Sequence, residues 1–323
     1  MARRVCVIGL DCATPQLVFD RFEKDLPNLG RLRSAGLWGE LESCIPPITV
    51  PAWMSMMTSK NPGRLGFYGF RNRSDHSYDK LAFATSRHVK EDTVWDILSR
   101  RGKKVILLGV PQTYPPKAVN GILVSCFLAP NTSVDYTYPS ELKEEIQQVV
   151  GDYVLDVHDF RTEDKQRILD TIYDMTAKRF RLARHFLTGR EWDFFMMVEM
   201  GVDRIHHGFW KYGDPNHPKH VPGNPFEHSI RDYYRYVDGE VGKILKLLDG
   251  DTAVLVVSDH GARPMLGGIC VNEWLMREGL LALRTRPAGP EPFDPSRVDW
   301  GRTLAWGEGG YYSRLFLNVK GRE

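Results

Sequence analysis

Three short apolar runs in this chain each lead into an aspartate, and that repetition limits the folds open to it. "VCVIGLD" reaches Asp11, "FFMMVEMGVD" reaches Asp203 and "AVLVVSD" reaches Asp259. Unbroken apolar runs of this length, without alternation, describe strands covered on both faces, as in a parallel sheet. A fourth run, "KKVILLGV" (103–110), adds another buried strand. The intervening segments 26–36, 92–102, 163–189 and 231–250 carry helical spacing, and each closes at a glycine. Buried strands alternating with amphipathic helices predict an α/β fold, a three-layer sandwich with a mostly parallel central sheet and helices on both faces.

At 323 residues the chain can form one large α/β domain or two small ones. The Pro-rich and polar stretch 111–160 reads as loops plus a variable insertion on the functional edge of the sheet. Another Pro-rich stretch, 286–297, reads as a surface excursion before a last strand at 314–319. The net charge of +2, with no Lys/Arg run reaching five residues, gives no basic excess to neutralise a nucleic-acid polymer. The apolar run behind Arg3 and Arg4 is too short for a signal peptide, and no stretch reaches the ~18 apolar residues of a membrane span. Five scattered cysteines without a CxxC read as reduced, mostly buried thiols, so the expected location is the cytoplasm.

The carboxyl ends of parallel strands share one rim, where ligands bind. Asp11, Asp203 and Asp259 on that rim would repel one another unless cations sat between them. Two of them travel with imidazole: His260 follows Asp259, and His206 and His207 follow Asp203. Asp203 and His207, four apart, share a face if the segment is helical. Mixed Asp/His sets suit Zn²⁺, with Mn²⁺ as the alternative. In "ITVPAWMSMMTSKNPG" (48–63), Thr49 stands two residues before Pro51 at the start of a methionine-rich helix. A threonine there is by itself an ordinary helix cap. Beside a cation its hydroxyl becomes a usable nucleophile, and the helix N-terminus suits a phosphoryl oxygen.

These motifs resemble the alkaline phosphatase superfamily, in its type I phosphodiesterase/nucleotide pyrophosphatase branch. The resemblance runs through "VIGLD", "PPITVPAWMSMMTSKNPGRLGFYGF", "LLGVPQTYPP", "EMGVDRIHHGFW" and "VVSDHGA". It implies a single alkaline-phosphatase-like catalytic domain over 1–323, C-terminally incomplete, that hydrolyses a small-molecule phosphoester. It also implies a two-metal site. Thr49 would be the nucleophile; Asp11, Thr49, Asp259 and His260 would hold one divalent ion, and Asp203 and His207 the other, with His206 as a neighbouring substitute.

Two positions depart from that pattern. Relatives that cleave nucleotide esters carry an asparagine three residues after the nucleophile, where this chain has Ala52. The family completes its second metal site with a downstream histidine, and none follows His260 here. The alternative expectation is therefore a non-catalytic or impaired phosphoester-binding relative lacking a complete second site. His217, His220 and His228 are the candidate replacements. The stretch "LGFYGF" (65–70) offers Tyr68 as a recognition residue, with Phe67 and Phe70 read as core. A sulfatase is disfavoured because "CIPPI" lacks the arginine of that motif. A cofactor-independent phosphoglycerate mutase would need a serine and a large inserted domain. A dinucleotide-binding enzyme would need G-x-G-x-x-G after the first strand.

Overall fold

The computed structural model describes residues 3–160, 162–309 and 312–323. Its strands are β1 (Arg4–Leu10), β2 (Arg71–Arg73), β3 (Leu81–Phe83), β4 (Val105–Leu108) and β5 (Gly121–Val124), then β6 (Thr137–Tyr138), β7 (Phe194–Glu199), β8 (Thr252–Val257), β9 (Ala305–Gly309) and β10 (Ser313–Leu317). The helices are α1 (Pro27–Ala35), α2 (Thr49–Thr58), α3 (Pro62–Leu65), α4 (Val94–Arg100) and α5 (Leu142–Val150). They continue with α6 (Lys165–Gly189), α7 (Gly201–Gly213), α8 (Ser229–Leu245) and α9 (Val271–Arg277). The chain divides into two compact units, Met1–Phe70 with Ala84–Pro264, and Arg71–Phe83 with Met265–Glu323.

The first unit is built on a six-stranded sheet in the order β6-β5-β4-β7-β1-β8. Every pairing is parallel except that of β6 with β5. β1 lies between β7 and β8, with Cys6 opposite Phe195 on one side and Val254 on the other. All residues of β4 and β7 are buried, as their apolar runs require. α6 packs on β4 and β7 and against α5, α7 and α8, and α4 packs on β4. Trp53 of α2 lies against β1 at Gly9, where a Cβ would come within 2.5 Å of the indole. The result is the three-layer α/β sandwich with a mostly parallel sheet.

Two features differ from the sequence-based expectation. β8, read as a buried strand, has no fully buried residue, and Leu255 is 44 % exposed. The cause is its place at the sheet edge, with a neighbour on one side alone. Residues 111–160, read as loops and an insertion, supply β5, β6 and α5 and so extend the sheet. Strands of four and two residues among prolines leave too little periodicity to read.

The second unit contains two antiparallel hairpins, β2–β3 and β9–β10, and the short helix α9. Leu275, Leu281, Val298 and Trp306 form its core, and Tyr78 stacks on Trp300 at 3.7 Å between centroids. No described helix of either unit is long and apolar enough to cross a membrane.

Candidate functional site

All six candidate residues fall in the first unit, where they form two groups. Asp11 follows the end of β1, fully buried. The chain then turns through Cys12, whose φ of 65° is a left-handed conformation uncommon outside glycine. That turn aims the Cys12 N–H at Asp259 Oδ1 (3.1 Å) and the Ala13 N–H at Ser258 Oγ (2.9 Å). The ends of β1 and β8 are thus tied together, and Asp11 and Asp259 are brought to one place.

His260 completes the group. Its Nε2 lies 3.6 Å from Asp11 Oδ1 and 3.4 Å from Asp259 Oδ2. Its Nδ1 is 3.0 Å from the Gly261 carbonyl, which can only accept, so Nδ1 carries the proton and Nε2 presents a lone pair. Thr49 Oγ1 is 3.1 Å from that Nε2. Thr49 opens α2, with extended Ile48 before it, and Pro51 is tolerated because a first helical turn needs no N–H there. Ligand atoms of Asp11, Asp259 and His260 all lie within 4.8 Å of one another.

This group suits a divalent cation. Asp11 Oδ1 and Asp259 Oδ2 are buried and accept no hydrogen bond. Burial, with the charges of Asp259 and Asp203 added, pushes the Asp11 carboxyl well above the usual carboxylate range. Burial likewise pushes Asp259 up to about 8. Two carboxylates with unsatisfied inward oxygens beside an imidazole lone pair are a donor set for a hard or borderline cation.

The second pair forms where β7 turns directly into α7. Gly201 makes the turn possible: a Cβ there would sit 1.9 Å from the Tyr233 hydroxyl, and its N–H donates to Glu199 Oε1 at 2.7 Å. Asp203 then lies in the first turn of α7, where the helix dipole favours a carboxylate, and His207 lies one turn on. Their Oδ1 and Nε2 are 3.3 Å apart, as the spacing of four predicts. Burial pushes Asp203 up, but the His207 hydrogen bond and the Arg204 charge outweigh it and hold the carboxyl below its ordinary range.

The remaining sequence candidates do not join either group. His206 is buried between the Cys12 thiol (Nδ1–Sγ 3.5 Å) and the Tyr234 hydroxyl (Nε2–Oη 3.2 Å). Burial lowers its pKa to about 3, so it is a neutral bridge. His217 Nδ1 accepts from the Lys219 N–H, and His220 Nδ1 faces the Lys211 carbonyl. Among the described residues, only Asp11, Asp259 and His260 form a cluster of three potential ligands. Phe67 is core, whereas Phe70, expected in the core, is 38 % exposed, and Tyr68 is exposed as well.

Sequence reasoning passed over three contributors. Trp53 Nε1 donates to Asp11 Oδ2 at 2.8 Å. Arg204 contacts Asp203 Oδ2 through Nη1, and its other edge pairs with Asp156. Trp53 carried a signal, since a buried indole needs an acceptor for its N–H. Arg204 stood inside a quoted motif. Asp156 had no signal, because its partner is remote in sequence.

Comparison with known proteins shows the fold and the family of the chain. Two structures of the phosphonoacetate hydrolase from Sinorhizobium meliloti 1021, in complex with phosphonoformate and with phosphonoacetate, are similar at a TM-score of 0.56 each. Their identities to this chain are 17 % and 15 %, and each alignment covers 89 % of this chain and 66 % of the hydrolase. A mutant of the alkaline phosphatase PafA is similar at a TM-score of 0.54 and 14 % identity, over 86 % of this chain and 65 % of that one. The chain therefore spans just under two thirds of the length of these proteins, with which it shares an alkaline-phosphatase-like fold. No curated protein matches it. The sequence pattern of the family described as Type I phosphodiesterase / nucleotide pyrophosphatase matches residues 5–320, nearly the whole chain. Strand-end acids, an adjacent imidazole and a helix-opening threonine thus occur in a chain that belongs to the type I phosphodiesterase/nucleotide pyrophosphatase family.

Proposed function

We propose that this chain is a metal-dependent phosphoester hydrolase with Thr49 as nucleophile, acting on a small-molecule substrate. The observation that carries the reading is the meeting of Thr49 Oγ1 with His260 Nε2 at 3.1 Å, beside the inward oxygens of Asp11 and Asp259. Asp11, Thr49, Asp259 and His260 would hold one divalent cation, and Asp203 and His207 a second, with Zn²⁺ favoured and Mn²⁺ the alternative. Cations bound there supply positive charge that acidifies the threonine hydroxyl and stabilises charge developing on phosphoryl oxygens. All of these residues lie in one compact unit, which supports a single catalytic domain. The five unpaired cysteines fit a reducing compartment such as the cytoplasm.

The residues themselves divide the work. Thr49 Oγ1 loses its proton to solvent and attacks phosphorus in line, a Thr49 O–P bond forms, and the ester P–O bond breaks as the leaving oxygen takes up a proton from solvent. The positive end of α2, at whose first turn Thr49 stands, faces the charge that builds on the phosphoryl oxygens. Trp53 and the Cys12 N–H hold Asp11 and Asp259 in fixed orientations, so little reorganisation is needed at the moment of reaction. Water then attacks the phosphothreonine, its proton leaves, and Thr49 is regenerated with release of the phosphoryl product. Incubating the protein with a bis-aryl phosphodiester and quenching rapidly should yield a peptide containing Thr49 with an added phosphoryl group. Thr49→Ala should lose both that adduct and turnover; wild-type hydrolysis by Thr49→Ala would refute the assignment.

A second reading is favoured by one observation. Asp203 gives one of its oxygens to Arg204, which leaves the second pair with two donors. A chain with one strong and one weak cation site would bind phosphoesters and turn them over slowly. Zn²⁺ titration separates the readings: two sites of equal affinity would dismiss the impaired form.

A further inference from the structure

Arg204 makes a contact that neighbours on a helix do not ordinarily make. Residues i and i+1 point about 100° apart around an α-helix, yet the Arg204 guanidinium curls back so that Nη1 meets Asp203 Oδ2. Its opposite edge is gripped by both Asp156 oxygens, Nε to Oδ1 at 2.7 Å and Nη2 to Oδ2 at 2.8 Å. The guanidinium carbon lies 5.7 Å from the ring of Phe127 and 5.9 Å from that of Phe160, and Phe160 also packs against His207. The Arg204 side chain is only 10 % exposed, so water screens these charges little. Asp11 and Asp259, by contrast, have no lysine or arginine within ion-pair distance among the described residues, and their neighbour is the His260 imidazole.

We infer that Arg204, held by Asp156, is a resident counter-ion for Asp203: it occupies one carboxylate oxygen, leaves the other to His207 and an incoming cation, and competes with that cation for the carboxylate. The inference rests on the two-cation reading for its second half and on the Arg204–Asp203 contact alone for its first. Its consequence is a division of the rim. The Asp11–Asp259–His260 group has no built-in compensation and binds its cation tightly. The Asp203–His207 pair is already compensated, so it is stable when empty and exchanges its cation readily. Arg204 is thus a positioning residue, with no contact to substrate required of it.

Two measurements test this. In chelator, Arg204→Gln leaves Asp203 buried without its partner and should lower the melting temperature by about 5–10 °C. Adding Asp203→Asn to Arg204→Gln should restore the part of that loss due to Asp203, with the part due to the unpaired Asp156 remaining, and Arg204→Lys should show a smaller loss. No recovery in the double variant would overturn the counter-ion role. With Zn²⁺, Arg204→Gln should tighten the weaker site about tenfold or more while changing the tighter one less, because a competing positive charge in contact with Asp203 has gone. An unchanged or looser weak site in a variant that circular dichroism shows to be folded would overturn the competition. If the wild type takes up no second ion, the two-cation reading fails, while the melting cycle still decides whether Arg204 compensates Asp203.

Discussion

If Asp11, Asp259 and His260 hold a cation as proposed, replacing Trp53 by phenylalanine should weaken its binding without touching any of those residues. The indole Nε1 donates to Asp11 Oδ2 at 2.8 Å, both residues are fully buried, and Asp11 Oδ1 has no hydrogen bond of its own. Phenylalanine would therefore leave a buried carboxylate with neither oxygen held. A hydrogen bond to a charged group contributes about 1.5–3 kcal/mol. At about 1.4 kcal/mol per tenfold, losing it matches the 10–100-fold drop in affinity typical when a partner behind a metal ligand is removed. Competition against a chromophoric chelator at fixed pH would measure the loss. Trp95→Phe, in the same core but on α4, should cost comparable stability and leave affinity alone. If Trp53→Phe binds Zn²⁺ within twofold of wild type, Asp11 does not depend on the indole, and the argument from unsatisfied oxygens fails.

Other outcomes follow from the same geometry. Chelation should abolish hydrolysis and Zn²⁺ or Mn²⁺ should restore it, with unequal occupancy of two sites by elemental analysis at limiting metal; full activity in a metal-free sample would exclude the mechanism. Gly201→Ala should destabilise the fold by about 3 kcal/mol or more, because its Cβ would overlap the Tyr233 hydroxyl and crowd Glu199 and Thr176; a denaturation midpoint equal to wild type would show that the turn can relax. Burial pushes the Cys6 thiol up to about 12, so iodoacetamide should not modify Cys6 in the folded protein even at pH 9, while exposed Cys270 reacts. Peptide mapping that finds Cys6 alkylated before unfolding would contradict its burial within β1.

The sheet was legible because four of its six strands are apolar runs, three of which lead to residues of the candidate site, and a run of that kind has few alternatives. Asp11, Asp259 and His260 could be gathered from sequence because parallel strands deliver their carboxyl ends to one rim, whereas Thr49, which opens a helix, was joined to them by the family resemblance. Asp203 and His207 could be paired because helical spacing is local. What escaped reading is non-local or marginal. The two-residue strand β6 has no period, and edge exposure of β8 depends on strand order rather than on "TAVLVV" itself. The grouping of Arg71–Phe83 with residues 265–323 joins segments nearly two hundred residues apart. Asp156 reaches Arg204 from a loop with no motif. Each of these is decided by packing partners that the one-dimensional pattern does not name.

The edge position of β8 has a dynamic consequence. Asp259 and His260 hang from the least covered strand of the six-stranded sheet, whereas Asp11 follows β1, which is flanked on both sides. Edge elements open locally at a fraction of the global unfolding free energy. A cation gripping residues from both strand ends would act as a clasp, and part of its binding free energy would go into keeping β8 closed. Its arrival should then slow amide hydrogen exchange along 252–257 far more than along β7, whose residues are already fully buried. The half of the site expected to fray is the half that a bound cation would lock.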